Sequence, residues 1–159
     1  MASNTLLNIL LNQPNHGKHY DFIYRDLQKI INHGDHQGDT RVRFVSRSLI
    51  RKQDSIARHV FLEFQKSASN PPKNPMYTLL YVSEHNPSWA RNASVWKTDW
   101  KDEISIQLPN IPMDMDDIMS HEKTLPSMYM LGVRDCRHHV SDMLHFCYQD
   151  ILLLDAEVS

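Results

Sequence analysis

Three short runs of β-forming residues stand between helical patterns at the two ends of the chain, and this order is the strongest constraint on the fold. Glu103-Ile104-Ser105-Ile106-Gln107-Leu108 alternates strictly between apolar and polar residues, the period of a half-buried strand. His59-Val60-Phe61-Leu62-Glu63-Phe64 and Met76 to Ser83 are equally rich in β formers. Between them, the proline-bearing segment from Lys66 to Pro75 fits a long hairpin connection. Val42, Phe44 and Val45 predict a further short strand, and Ser46 to Ile56 reads as a basic helix or loop. On the N-terminal side, Ser3 to Leu11 suits a short helix. Tyr20 to His33 carries Phe22, Ile23, Leu27, Ile30 and Ile31 at helical spacing, closed by Gly34. On the C-terminal side, Asp114 to Met119 places acids for a helix start. Tyr129 to Val133 reads as a strand or a turn, and Asp135 opens one long helix to about Leu153. Helices, then strands, then a helix predict an α+β fold with a small, mainly antiparallel sheet packed by helices.

A chain of 159 residues suits a single domain, 1–159, in which a helical N-terminal segment, 1–40, packs on or covers a core, 41–159. The formal net charge of −2 gives no electrostatic case for nucleic acid or an anionic membrane. The locally basic run of Arg41, Arg43, Arg47, Arg51, Lys52 and Arg58 is balanced by acids elsewhere and reads as a solvated face. Leu6 to Leu11 is too short an apolar run to span a bilayer. No secretory signal or integral membrane segment is expected. With two free thiols, a reducing, cytoplasmic location follows; unconventional secretion or translocation is the alternative.

The stretch RDCRHHVSDMLHFC, from Arg134 to Cys147, holds both cysteines. Eleven positions apart in one helix, they lie about 16 Å apart by helical rise, too far for a disulfide. Asp135 is a favoured N-cap residue. Cys136 then occupies the first turn, where unpaired amides and the helix dipole favour an anion and lower a thiol's pKa. Cys136 shares the inward stripe of Val140, Met143, Leu144, Cys147 and Ile151. Cys147 reads as a small buried hydrophobe. A thiol nucleophile needs a histidine in hydrogen-bond reach and a group to orient it. His138 and His139 point round the helix from Cys136. His59, a lone polar residue opening an apolar strand, is the better base. The strand paired with it offers Ser83, Glu84 or His85 as the orienting group.

Two rival chemistries arise from the same residues. Cys136, His138, His139, His145 and Cys147 are zinc-ligand types, although no CxxC pair or HExxH motif occurs. Asp114-Met115-Asp116-Asp117 lacks the glycine and terminal glutamate of a calcium loop. Trp89, Trp96 and Trp100 read as core anchors under a long loop.

Taken together, a histidine leading the strand HVFLEF, a hairpin, and a late cysteine at a helix start in YMLGVRDCRHHV resemble the circularly permuted NlpC/P60 papain-like enzymes. These include the lecithin-retinol-acyltransferase-like and PPPDE-like groups, whose helix opens on an Asn-Cys-x-His-Phe-type motif. Cys136 falls on the motif's cysteine, Asp135 on its asparagine and His138 on its histidine. The chain departs from the pattern at Asp135, at His139 in place of phenylalanine, and in having no small residues after His59. The resemblance implies a papain-like core and a thiol hydrolase or acyltransferase acting on an amide, ester or thioester carbonyl: a cysteine peptidase, amidase or deamidase. In that role Cys136 attacks, His59 moves the proton and His85, the family's usual kind of neighbouring-strand residue, orients it. The implied partners are a peptide, modified protein or acyl substrate, with a host protein as target if the chain is a translocated effector. No cofactor is expected. A non-enzymatic protein-interaction domain and a zinc-binding protein are the alternatives.

Overall fold

The computed structural model describes residues 3–12, 16–34, 38–48, 58–66, 79–86 and 103–158. Its elements run α1 (Ser3–Leu11), α2 (His16–His33), β1 (Thr40–Ser48), β2 (Arg58–Lys66), β3 (Leu79–Ser83), β4 (Ile104–Ile111), α3 (Met115–Thr124), α4 (Cys136–Cys147) and α5 (Gln149–Val158). The fold is α+β. The four strands among the described residues pair antiparallel throughout in the order β3-β2-β1-β4.

Strand alternation sends every second residue to the helices. Val42 and Phe44 of β1, Val60, Leu62 and Phe64 of β2, and Ile106 and Leu108 of β4 all enter one buried cluster. Leu7 and Leu10 of α1, Ile23, Tyr24, Leu27 and Ile30 of α2, Ile118 of α3, Val140, Met143 and Leu144 of α4, and Leu152 of α5 complete it. Side chains this well buried are each worth about 1.5–3 kcal/mol against exposure, which places the centre of stability between sheet and helices.

Two sequence expectations change. Residues 46–48 belong to β1 rather than to a helix or loop. Ser46 continues the inward set and is fully buried, its hydroxyl accepting from Arg58 Nε at 2.5 Å. The long helix from Asp135 is two helices, broken at Tyr148 (φ −123°, ψ 33°). Tyr148 is buried and its hydroxyl donates to the Pro109 carbonyl at 2.6 Å. That long-range anchor holds its backbone out of helical geometry, a tertiary constraint overriding local propensity. Asp114 caps α3, its carboxylate accepting from the amides of Asp116 and Asp117.

Among the described residues no helix is long and apolar enough to cross a membrane. The tryptophans Trp89, Trp96 and Trp100, the proline-rich segment 67–75, and Arg51 and Lys52 lie outside the described residues.

Candidate functional site

The start of α4 forms as its sequence dictates. Asp135 is the N-cap, and a capping box closes when the Asp135 amide donates to His138 Nδ1 at 3.0 Å. The Asp135 carboxylate is nearly inaccessible and accepts from the Arg137 amide (3.0 Å), Arg137 Nε (2.9 Å), Arg137 Nη2 (2.6 Å) and the Gly132 amide (2.9 Å). Burial alone would raise this carboxyl, but the Arg137 guanidinium and the Gly132 amide outweigh it and hold the pKa down at about 2.

Cys136 occupies the first turn as expected, yet it lies against the sheet rather than in a cleft. It is 6% exposed, and its Sγ approaches the Arg58 carbonyl at 4.0 Å. Burial pushes the thiol up to about 11, against the lowering effect of its bond with the Val60 backbone. Desolvation of the thiolate therefore beats the helix dipole.

His59 does not meet Cys136. Arg58 and Val60 face the helices, so His59 and Phe61 face the other side of β2, where the His59 ring sits 5.5 Å from that of Phe61. His59 Nε2 bonds Glu84 Oε2 at 2.9 Å. That bond, with burial opposing it, lowers the Glu84 carboxyl. Register explains the pairing. Leu62 stands opposite Ser83, so Glu84 continues beside Phe61 on the far face, while Ser83 and His85 share the helix face with Leu62 and Val60.

The residues that do converge there come from three elements. On β3, Ser83 Oγ lies 3.0 Å from His139 Nε2 of α4. Glu122 Oε2 of α3 lies 3.8 Å from the same nitrogen. Burial would raise the Glu122 carboxyl, but bonds from His139, Ser83 and Tyr81 outweigh it and lower its pKa. His85 stacks on His139 with ring centroids 5.6 Å apart, and its Nε2 bonds the Met128 carbonyl at 3.0 Å. Burial, with His139 and Arg134 close by, lowers the His85 pKa against the opposing pull of that carbonyl. His85, Glu122 and His139 border an open cleft of about 270 Å³, which Asn86 and Ser127 also line.

Serine, histidine and glutamate together invite comparison with a nucleophilic triad, but the geometry differs. A triad places serine and acid at opposite ring nitrogens. Here both lie at Nε2, Nδ1 has no partner among the described residues, and Ser83 is fully buried. The zinc-type residues scatter as well. His138 serves the capping box, and His145 bonds Asp26 at 3.0 Å. Among the described residues no group of three His, Cys, Asp or Glu is placed to hold a metal. Arg43 and Arg47 pair with Glu63 and Glu103, neutralising part of the basic run.

The remaining feature of this end of the molecule is the turn before α4. Met130 and Arg134 exchange backbone bonds (2.8 and 2.7 Å), and the Val133 amide donates to the Met130 carbonyl at 3.0 Å. Gly132 supplies the positive φ of 84° the turn needs. This braced turn exposes Leu131 at 79%, Val133 at 64%, Met128 at 58% and Met130 at 47%.

Sequence reasoning missed Glu122 and did not pair His139 with Ser83. The available signal was the buried stripe itself, since His139 stands one turn beyond Cys136, beside Val140. No family model, curated protein or solved structure matches the chain.

Proposed function

We propose that the protein is a non-enzymatic interaction module that docks through the 128–133 turn. The observation that carries this reading is the display of four large apolar side chains on a turn already fixed by main-chain bonds. Apolar clusters exposed in this way mark interaction sites, and a pre-formed turn loses little entropy on binding. The partner is a protein offering an apolar pocket. An anionic membrane would call for free cations beside the turn, whereas Arg134 is paired with Asp142 and Arg137 with Asp135. Photo-crosslinking from position 131 in cells, followed by binding of the cross-linked protein in purified form, tests it. Leu131→Asp should weaken that binding by ~30-fold or more. Unchanged affinity, or cross-links to lipid alone, would overturn the reading.

A second reading keeps the thiol hydrolase or acyltransferase and its papain-like core. One feature favours it: Cys136 stands at the first position of a capped helix packed on β2. Burial of the sulfur and the placement of His59 on the opposite face count against it. Alkylation by iodoacetamide separates the two. The interaction reading expects Cys136 labelling in the folded protein to keep climbing to about pH 11 and to ignore His59→Ala. Rapid labelling near neutrality that is lost in His59→Ala would restore the enzyme.

A further inference from the structure

The sulfur atoms of the described residues divide by access. Met143 is fully buried in the core, Met113 and Met115 are partly buried against it, and Met119 of α3 is 36% exposed. Met130 at 47% and Met128 at 58% are the most open, and both sit on the 128–133 turn. The backbone that carries them is held: Met130 exchanges main-chain bonds with Arg134, and the Met128 carbonyl accepts from His85 Nε2 at 3.0 Å. The two cysteines offer no competing sulfur. Both are buried, and burial pushes their thiols up to about 11 for Cys136 and about 12 for Cys147. At neutral pH the reactive thiolate is then a fraction of roughly 10⁻⁴ or less. A thioether has no proton to lose, so access alone decides which sulfur meets an oxidant first.

We propose that Met128 and Met130 form a modification site at which oxidation by peroxide to the sulfoxide switches off docking by the turn. The switch rests on the docking reading given above. In the reaction a thioether lone pair attacks one peroxide oxygen. The O–O bond breaks, an S–O bond forms, and the second oxygen leaves as water after taking up the proton. Sulfur loses two electrons and the peroxide gains them. The product exchanges a soft, apolar side chain for one that ends in a strong acceptor. In a partner's apolar pocket that oxygen meets no donor, and a polar group buried without one opposes association. Leu131 and Val133 share the turn but resist peroxide, so the two methionines carry the switch. Both lie outside the core cluster, so the change is confined to the surface. Methionine sulfoxide reductases reverse it: two thiols become a disulfide, and the sulfoxide oxygen leaves as water.

Titration of the full chain with hydrogen peroxide, followed residue by residue by peptide mass spectrometry, tests the site. Met128 and Met130 should each gain one oxygen before Met119, and roughly tenfold or more faster than Met143. One rate for all four, or Met119 leading, would overturn it. Two readouts test the switch. Retention on phenyl-agarose should fall once Met128 and Met130 are oxidised. Affinity for the purified protein cross-linked from position 131 should fall ~10-fold or more, and return after treatment with methionine sulfoxide reductases and a dithiol. The Met128→Leu/Met130→Leu double variant keeps apolar side chains of similar volume. It should bind like untreated wild type and ignore peroxide, whereas Met119→Leu should stay sensitive. Oxidised protein that binds as tightly as before, or a double variant that peroxide still inactivates, would overturn the switch. The peroxide mapping uses wild type and needs no partner, so a failure of the site appears there. A failure of the docking reading appears instead as an affinity that Leu131→Asp leaves unchanged, and it removes the switch.

Discussion

The two faces of strand β2 carry the same kinds of residue to different ends. On the far face, His59 and Glu84 form a direct pair at 2.9 Å, with the Glu84 side chain 38% exposed. On the helix face, His139 sits among Ser83, Glu122 and His85, buried, with one ring nitrogen unpaired among the described residues. The first arrangement is complete in itself. The second joins three elements around one ring, and that difference comes from strand register rather than from residue type. It also separates Cys136 from the histidine that its sequence neighbourhood promised.

Substitutions that weigh one face against the other should show the contrast, most strongly in the core. Leu62→Ala, on the helix face and fully buried, should cost ~2–5 kcal/mol in urea unfolding. Leu80→Ala points to the far face, is 59% exposed, and should stay within ~0.5 kcal/mol. Equal costs would mean that the face assignment is wrong.

The next effect is pH-dependent. Asp135 has its folded pKa depressed from 3.8 to about 2. Its contribution, about 2 kcal/mol, is therefore complete above the ordinary carboxyl pKa and is lost as the pH falls toward the folded value. Asp135→Asn keeps a good cap but cannot ionise. The stability difference between wild type and Asp135→Asn should be flat above about pH 5 and shrink below pH 4. A constant difference across that range would show that the charge contributes nothing.

The smallest contrast lies between the two histidine partners. Ser83→Ala leaves His139 and Glu122 without their shared hydroxyl and should cost about 1–2 kcal/mol. Glu84→Gln keeps an acceptor for His59 at a partly exposed position on the far face and should cost under about 1 kcal/mol. A reversed order would place the more important histidine on the far face.

Much of the architecture is legible from local pattern. The alternation from Glu103 to Leu108 is β4, the HVFLEF run is the centre of β2, and the spacing from Tyr20 to His33 is most of α2, because burial on one side imposes a period that the chain must show. Asp135 and Asp114 announce their helix starts for an equally local reason, since a cap bonds amides two or three residues away. The break at Tyr148 is not legible, because its cause is a carbonyl 39 residues distant.

The candidate site divides along the same line. Residue order alone determined that Cys136 begins a helix on the inward stripe, that His59 opens a strand, and that Ser83, Glu84 and His85 lie where β3 ends. Only the tertiary structure decided which of them meet. Side chains alternate with a period of two, so a pairing of Leu62 with Ser83 sends Glu84 to His59 and leaves Ser83 and His85 facing α4. Whether the Cys136 thiol gains from its helix dipole or loses to desolvation is likewise a matter of how closely α4 lies on β2. At 6% exposure, desolvation wins.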